Sequence, residues 1–312
     1  MPYRRGVVVP SSTIVDRLRR AGCVFAEDEA TILEASAGSA QELEAMVAQR
    51  VNGLPLEQVV GWAEFCGLRI LVDPGVFVPR RRSEFLVAVA ADGTRDPQAV
   101  IVDLCCGTGA LGLAVAVRLM ERERLTGQEL VTGQEQLTEW ERLMERGLLA
   151  TGQGRLAGRE GAAGGGVGLG ELHAAELDPV AVACARRNVE PVGGQVHEGD
   201  LFSPLPDALS GRVDILICNA PYVPTGEIAF MPPEARDHEA RMALDGGADG
   251  LTILRRVAEQ APGWLARGGR LLVETSERQA SLMADAMSSA GLRPGVHGDE
   301  ETGATVVTGT RP

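Results

Sequence analysis

The spacing of hydrophobic residues divides the chain into three stretches. Over residues 11–51 the apolar positions recur every three or four residues, which is the period of amphipathic helices. Residues 61–78 instead alternate between apolar and polar positions and contain an Asp-Pro-Gly turn at 73–75, which predicts a β-hairpin. After residue 97, short apolar strands are followed by loops and helical runs, an order typical of a parallel α/β sheet. We therefore predict a helical domain over 1–60, a hairpin linker over 61–80 and an α/β domain over 81–312.

One connection within the α/β domain is much longer than the others. About fifty residues separate its first helix, predicted over 110–120, from the next strand, whereas such connections usually have about 2–6 residues. The first half of this stretch is charged, and its second half is rich in glycine, a composition typical of flexible segments. We interpret residues 121–170 as an insertion into the domain.

The composition argues against several classes of function. The chain has 30 basic and 43 acidic residues, a net charge of −13, which disfavours binding to nucleic acids or anionic membranes. All 30 basic residues are Arg, so no Lys is present for a Walker loop or a Schiff base. The six cysteines lack Cys-x-x-Cys spacing, the four histidines lie far apart, and no run of about 18 apolar residues occurs. We therefore expect a cytoplasmic protein without a metal site, a membrane span or direct contact with nucleic acid.

Acidic residues lie at or near the ends of three successive predicted strands. Asp103 lies in the first strand, Glu176 ends the second, and Asp200 follows the third. Ligands of open α/β sheets bind outside the carboxyl ends of the strands, so these carboxylates should meet in one crevice. Residues 107–112 match the GxGxxG pattern, but three acids would repel the pyrophosphate of a dinucleotide. S-adenosylmethionine carries a sulfonium, an ammonium and a ribose diol, which acidic and carbonyl groups can bind.

A polar motif follows the fourth predicted strand, at residues 213–218. It reads Asn219-Ala220-Pro221-Tyr222 and places an amide at the same crevice. An Asn-Pro-Pro-Tyr motif at this position marks methyltransferases that act on a planar NH2 group. The chain resembles the HemK/PrmC-type family, which methylates the glutamine amide of peptide chain release factors. Further segments carry the resemblance: Pro79-Arg80 with Ser83-Glu84, Gly199-Asp200-Leu201-Phe202, Ala243-Leu244-Asp245-Gly246-Gly247 and Asp249-Gly250-Leu251.

The resemblance implies a fold and a reaction. The fold would be a class I methyltransferase Rossmann-like domain with a mostly parallel seven-stranded sheet and an antiparallel last strand. A small all-helical N-terminal domain would recognise the substrate. The reaction would transfer a methyl group from S-adenosylmethionine to the side-chain amide nitrogen of a glutamine in the Gly-Gly-Gln loop of a release factor, with S-adenosylhomocysteine as product.

The resemblance also implies roles for individual residues. The cofactor would be bound by residues of the strand ends and the glycine loop, namely Asp103, Cys105, Gly107, Thr108, Gly109, Glu176, Leu177, Asp200, Leu201 and Asn219. The catalytic set would be Asn219, Ala220, Pro221 and Tyr222. Asn219 and Tyr222 would also contact the substrate, together with Phe77 and Arg80, for which simple packing or solvation is the alternative interpretation.

The chain departs from the family pattern at two positions. Arg81 stands where the family has a proline after Arg80, and Ala220 replaces the first proline of the Asn-Pro-Pro-Tyr motif. Ala220 keeps a main-chain carbonyl that can accept an amide N–H, so we expect activity with a less rigid loop. Two alternatives stay open: methylation of an exocyclic NH2 of a nucleic-acid base, and a non-catalytic scaffold that binds cofactor only. We expect a monomer.

Overall fold

Helices form the N-terminal part of the molecule. The computed structural model describes residues 11–94, 96, 98–128 and 170–312. The first elements are α1 (Ser12–Arg20), α2 (Ala26–Ser36), α3 (Ala40–Val51) and α4 (Leu56–Val60). Leu18, Leu33 and Val47 are fully buried between them. The hydroxyl of Ser39 accepts the Glu42 N–H and caps α3. The helices thus lie where the hydrophobic spacing places them.

A two-stranded hairpin follows the helices. It consists of β1 (Trp62–Phe65) and β2 (Leu68–Leu71). The strands are joined at Cys66 and Gly67, both with positive φ, 51° and 75°, which is the geometry of a tight hairpin turn. The predicted turn at 73–75 is wrong as the hairpin turn: it is a separate turn after β2, in which the Val76 N–H donates to the Asp73 carbonyl. The segment after this turn leads to the sheet.

Seven strands form the central sheet. They are β3 (Ile101–Leu104), β4 (Leu172–Glu176), β5 (Gln195–Glu198), β6 (Val213–Cys218), β7 (Leu265–Thr275), β8 (Arg293–Asp299) and β9 (Ala304–Thr310). Their order is β5-β4-β3-β6-β7-β9-β8, and β9 alone runs antiparallel to both of its neighbours. This topology confirms the predicted class I methyltransferase fold. Strand β8 lies at the edge, and its polar, glycine-containing sequence lacks the apolar pattern that reveals the other strands.

Helices cover both faces of the sheet. They are α5 (Glu84–Asp92), α6 (Ala110–Gln128), α7 (Pro179–Val189), α9 (Thr252–Trp264) and α10 (Glu277–Ser289), whereas the short helix α8 (Pro233–His238) lies in the connection between β6 and α9. Two apolar clusters, one against α5–α7 and one against α9 and α10, bury β3 completely. Helix α6 continues eight residues beyond its predicted end at 120, and residues 129–169 of the predicted insertion lie outside the described residues. No helix in the described ranges is long and apolar enough to cross a membrane.

Candidate active site

A cavity lies at the carboxyl ends of the parallel strands. Its walls are the loops that follow β3, β4, β5 and β6, together with the segment between the hairpin and α5. All of the predicted site residues except Asp103 and Gly109 line it. The topology therefore brings together side chains that are up to 145 residues apart in the sequence, from Phe77 to Tyr222. Asp103 and Gly109 do not line the cavity and are described below.

Backbone amides hold the carboxylate of Glu176 at one end of the cavity. The Gly107 N–H donates to Oε2 at 2.9 Å, and the Leu177 and Asp178 N–H groups donate to Oε1 at 2.7 and 3.0 Å. Strands β3 and β4 are neighbours in register, so the loops that follow them meet at this carboxylate. The glycine loop and the end of β4 are thereby fixed to each other.

Asp103 supports the glycine loop from behind. Its side chain is fully buried, and Oδ2 accepts the Gly112 N–H at 2.9 Å, while Oδ1 has no partner in the described part of the chain. Burial raises the pKa of Asp103 to about 7, and the nearby charge of Glu176 acts in the same direction. The carboxyl group thus contacts the first turn of α6 and does not line the cavity, so the contact with the cofactor that the resemblance implies for Asp103 stays a prediction. Gly109 does not line the cavity either, and a Cβ added to it would be directed toward Val189 of α7.

The next loop places Asp200 and Leu201 on the cavity wall. Asp200 Oδ2 accepts a hydrogen bond of 2.6 Å from Arg256 of α9, and both side chains are half-exposed. Leu201 adopts a positive φ of 51°, as Cys105 does at 53° in the glycine loop. A hydrogen bond with Cys218 and burial raise the pKa of the Cys105 thiol well above its ordinary value, so this side chain is neutral.

The arginines that line the cavity are all paired with carboxylates, whereas the lining residues Glu176 and Asp178 have no cationic partner in the described part of the chain. Each of three lining arginines contacts one carboxylate, in the pairs Arg80–Glu239 at 2.5 Å, Arg82–Glu274 at 2.9 Å and Arg256–Asp200 at 2.6 Å. Glu176 has no cationic partner in the described ranges and faces the cavity. Because every lining arginine is paired with a carboxylate, none of them is free to bind a pyrophosphate, whereas the Glu176 carboxylate can accept hydrogen bonds from hydroxyl or ammonium groups. The donor set therefore fits S-adenosylmethionine.

Side chains hold Asn219 at the other end. Asn219 follows the last residue of β6, and its Nδ2 donates to Ser83 Oγ at 3.3 Å. The Tyr222 hydroxyl donates to Glu274 Oε1 at 3.0 Å, and the Arg82 guanidinium carbon lies 5.4 Å from the centre of the Tyr222 ring. The sequence does not reveal this link, because Ser83 and Glu274 lie 191 residues apart and no local pattern pairs them.

Main-chain contacts fix the loop that carries Ala220. The Gly246 N–H donates to the Val223 carbonyl at 2.8 Å, and the Val223 N–H donates to the Leu244 carbonyl at 3.2 Å. A Cβ at Gly246 would lie 2.6 Å from the Pro221 carbonyl oxygen, so the two segments pack closely enough to require glycine. Ala220 itself is buried. These contacts hold the loop in place although the first proline of the motif is missing.

Phe77 and Arg80 lie where the N-terminal part meets the cavity. The Arg80 guanidinium carbon is 4.9 Å from the centre of the Phe77 ring and pairs with the buried Glu239. Burial raises the pKa of Glu239, and the charge of Arg80 opposes this effect. Near Glu239, Arg50 of α3 contacts Glu234 of α8 at 2.7 Å. The helical part thus contacts α8, which lies between the cavity-lining residues Met231 and Ala240.

Known proteins resemble this chain over most of its length. No protein-family model matches it. A release factor glutamine methyltransferase of Geobacter sulfurreducens is 32% identical over 250 residues, covering 79% of this chain and 69% of the relative. Enzymes of the same name are 34% identical in Mycolicibacterium smegmatis, covering 80% of this chain and 71% of the relative, and 33% identical in Streptomyces coelicolor, covering 75% and 67%.

Proposed function

This chain belongs to the release factor glutamine methyltransferase family, and on that basis we propose that it methylates the side-chain amide nitrogen of a glutamine in a peptide chain release factor. The observation that carries the proposal is the amide of Asn219 on the cavity wall. Its nitrogen is bound by Ser83, and no described residue donates to its oxygen. That oxygen is therefore available to accept a substrate N–H.

The cofactor is S-adenosylmethionine, which supplies an electrophilic methyl group when bound and is released as S-adenosylhomocysteine. We assign Glu176 to the ribose hydroxyls, because its carboxylate is held by three backbone donors and faces the cavity. Gly107 offers a wall without a side chain, since a Cβ there would meet no atom within 4 Å. Asp200 and Leu201 form the adjacent wall, and Asp103 keeps the glycine loop in place from behind.

The main requirement for the substrate amide is orientation toward the methyl group, and not activation by a base. Its nitrogen is a weak nucleophile because the lone pair is delocalised into the carbonyl group. We propose that Asn219 Oδ1 and the Ala220 carbonyl accept the two N–H groups and direct the nitrogen at the methyl carbon. The nitrogen forms its bond to the methyl carbon as the bond between that carbon and the sulfonium sulfur breaks, and its surplus proton passes to solvent as the product leaves. Until then, the ring of Tyr222 excludes bulk water from this end of the cavity.

The protein substrate would approach past the N-terminal helices. Phe77 and Arg80 line the cavity at this side, and Arg50 connects α3 to α8 beside them. We therefore assign substrate recognition to the helical part and to these two residues. We also propose a monomer located in the cytoplasm, where the six free thiols would remain reduced.

The experiment is methyl transfer from labelled S-adenosylmethionine to a release factor from the same source. Peptide mapping locates the label, and a release factor with its Gly-Gly-Gln glutamine replaced serves as the control. We expect label on that glutamine and none on the control. A parallel incubation with ribosomal RNA and DNA tests the nucleic-acid alternative, for which we expect no label.

Two results would contradict the proposal. Label on an exocyclic base amine would identify a nucleic-acid methyltransferase. Cofactor binding without label on the release factor or on nucleic acid would favour a scaffold that binds cofactor only.

A further inference from the structure

A buried carboxylate organises the substrate end of the cavity. Glu274 lies near the end of β7, and its side chain is only 2% exposed. It accepts hydrogen bonds from Ser83 Oγ at 2.5 Å and from the Tyr222 hydroxyl at 3.0 Å, and it forms an ion pair with Arg82 Nε at 2.9 Å. No substrate atom is needed to satisfy this carboxylate, so its function lies in what it does to its neighbours.

The charge of Glu274 determines the direction of the hydrogen bonds. An ionised carboxylate only accepts, so the Ser83 hydroxyl uses its one hydrogen to donate to Glu274. The Ser83 oxygen can then only accept, and it does so from Asn219 Nδ2 at 3.3 Å. The two ends of an asparagine amide have nearly the same size, so hydrogen bonds decide which end faces which side.

We propose that Ser83 and Glu274 are positioning residues for methyl transfer: through the Ser83 hydroxyl, Glu274 fixes the Asn219 amide with Nδ2 inward and Oδ1 available to the substrate. The substrate part of this inference rests on the proposed function, whereas the orientation of Asn219 does not. In the reversed orientation, Asn219 would present N–H groups to the N–H groups of a substrate amide. The site would then lose an acceptor and gain a donor that cannot be satisfied.

The orientation depends on the protonation state of Glu274. Burial raises the pKa of Glu274 above its ordinary value, and the contacts with Ser83 and Arg82 oppose the shift. The other titratable groups in contact with it are Arg82 and Tyr222. As pH falls through the raised pKa, Glu274 gains a proton, and the Ser83 hydroxyl is free to turn toward Asn219.

The asparagine content makes the orientation measurable in the free protein. The chain contains three asparagines, Asn52, Asn188 and Asn219, so selective 15N labelling of asparagine side chains gives three NH2 signal pairs in an NMR spectrum. In Ser83→Ala we expect the Asn219 pair to shift and to exchange faster with water. Ser83→Thr keeps a hydroxyl and should retain the wild-type signals. Asn188 is buried and bonds to two carbonyls, so its unchanged pair reports that each variant is folded.

Kinetics on the release factor provide the second measurement. We expect Ser83→Ala to lower kcat about tenfold, the effect of one lost hydrogen bond, with an unchanged cofactor Kd and with recovery in Ser83→Thr. Wild-type kcat should fall on the acid side with the protonation of Glu274, and Glu274→Gln should show a low kcat without that acid limb. In an Asn219→Ala background, Ser83→Ala should have no additional effect, because Ser83 acts through Asn219.

Several results would overturn the inference. One is an Asn219 signal pair that is unchanged in both Ser83→Ala and Glu274→Gln. Another is a Ser83→Ala effect on kcat of the same size with and without Asn219. If the wild-type protein does not methylate the release factor, the proposed function fails, but the NMR measurement still decides whether Ser83 and Glu274 orient Asn219.

Discussion

The two ends of the cavity are held in place by different groups, backbone N–H groups at one end and side chains at the other. At the cofactor end, backbone N–H groups of residues 107, 177 and 178 hold the Glu176 carboxylate. At the substrate end, the side chains of Ser83 and Glu274 hold the Asn219 amide. The first arrangement uses loops after neighbouring strands, and the second joins segments far apart in the chain.

This difference predicts how the two ends respond to substitution. A backbone donor survives any change of its own side chain, provided that the loop keeps its conformation. A side chain in a network is removed by one substitution, and its partners then lose a hydrogen bond within a buried site. We therefore expect single substitutions to separate methyl transfer from cofactor binding, with the larger losses at the substrate end.

The largest effect is expected for Asn219→Ala. This change removes the side-chain acceptor for the substrate amide and leaves the backbone of the loop intact. We expect kcat to fall about a hundredfold, as for other variants that lose a group directing the reacting atoms, with little change in cofactor Kd. Steady-state methylation and calorimetric titration with S-adenosylmethionine measure the two quantities.

The control for this prediction is Asn52→Ala. Asn52 is exposed at the end of α3, so its loss should change neither kcat nor Kd. If Asn219→Ala weakened cofactor binding as much as it lowered kcat, the two ends of the cavity would not be separable.

A smaller effect is expected for Glu176→Gln, and it should appear in cofactor binding and not in kcat. A glutamine offers one oxygen acceptor and one NH2 donor, so at least one of the three backbone N–H groups would face another donor. Hydrogen bonds to charged groups contribute about 1.5–3 kcal/mol, and we expect the cofactor Kd to rise at least tenfold. At saturating cofactor, kcat should stay close to the wild-type value.

Glu198→Gln is the matched control, because Glu198 is the register partner of Glu176 in β5 and does not line the cavity. It should bind cofactor as the wild type does. A loss of kcat at saturating cofactor in Glu176→Gln, with unchanged Kd, would assign this residue to the chemistry and not to cofactor binding.

The same contrast explains what the sequence reveals. The parallel sheet and the cavity residues Glu176, Asp200 and Asn219 follow from strand ends, because each residue lies at or just after the position where its strand stops. The antiparallel last strand follows from the family resemblance instead. The hydrogen-bond partners of these residues could not be predicted in this way. Arg256 reaches Asp200 from α9, and Glu274 reaches Ser83 from β7. Such pairs depend on the three-dimensional path of the chain, and no spacing rule encodes them.

The positions of three further side chains could not be predicted from the sequence. Asp103 lies on a strand that leads to the cavity, but strand alternation and the first turn of α6 place its carboxyl group behind the wall. His173 and His197, which the sequence keeps apart, lie within 2.9 Å on the neighbouring strands β4 and β5. The contact between the two histidines depends on the order and register of the strands, and neither is visible from the sequence spacing alone.

The smallest effect is expected for a difference in stability between alanine variants of two glycines at the cofactor end. Gly107 and Gly109 both have positive φ, 55° and 77°, so alanine at either position costs about 1 kcal/mol of backbone strain. A Cβ at Gly109 would also lie 2.5 Å from Val189 Cγ2, whereas a Cβ at Gly107 would meet no atom within 4 Å. We expect Gly109→Ala to lower the free energy of unfolding by about 1 kcal/mol more than Gly107→Ala does, as measured by urea denaturation.

Cofactor binding should rank these two variants in the opposite order. Gly107 lines the cavity, so its added methyl group occupies ligand space, and the Kd of Gly107→Ala should rise more than that of Gly109→Ala. The N–H of residue 107 remains in both variants, so neither removes the donor to Glu176. If both variants lost stability and affinity in equal proportion, the glycine loop would act as one unit, and the backbone contacts to Glu176 would depend on its packing against α7.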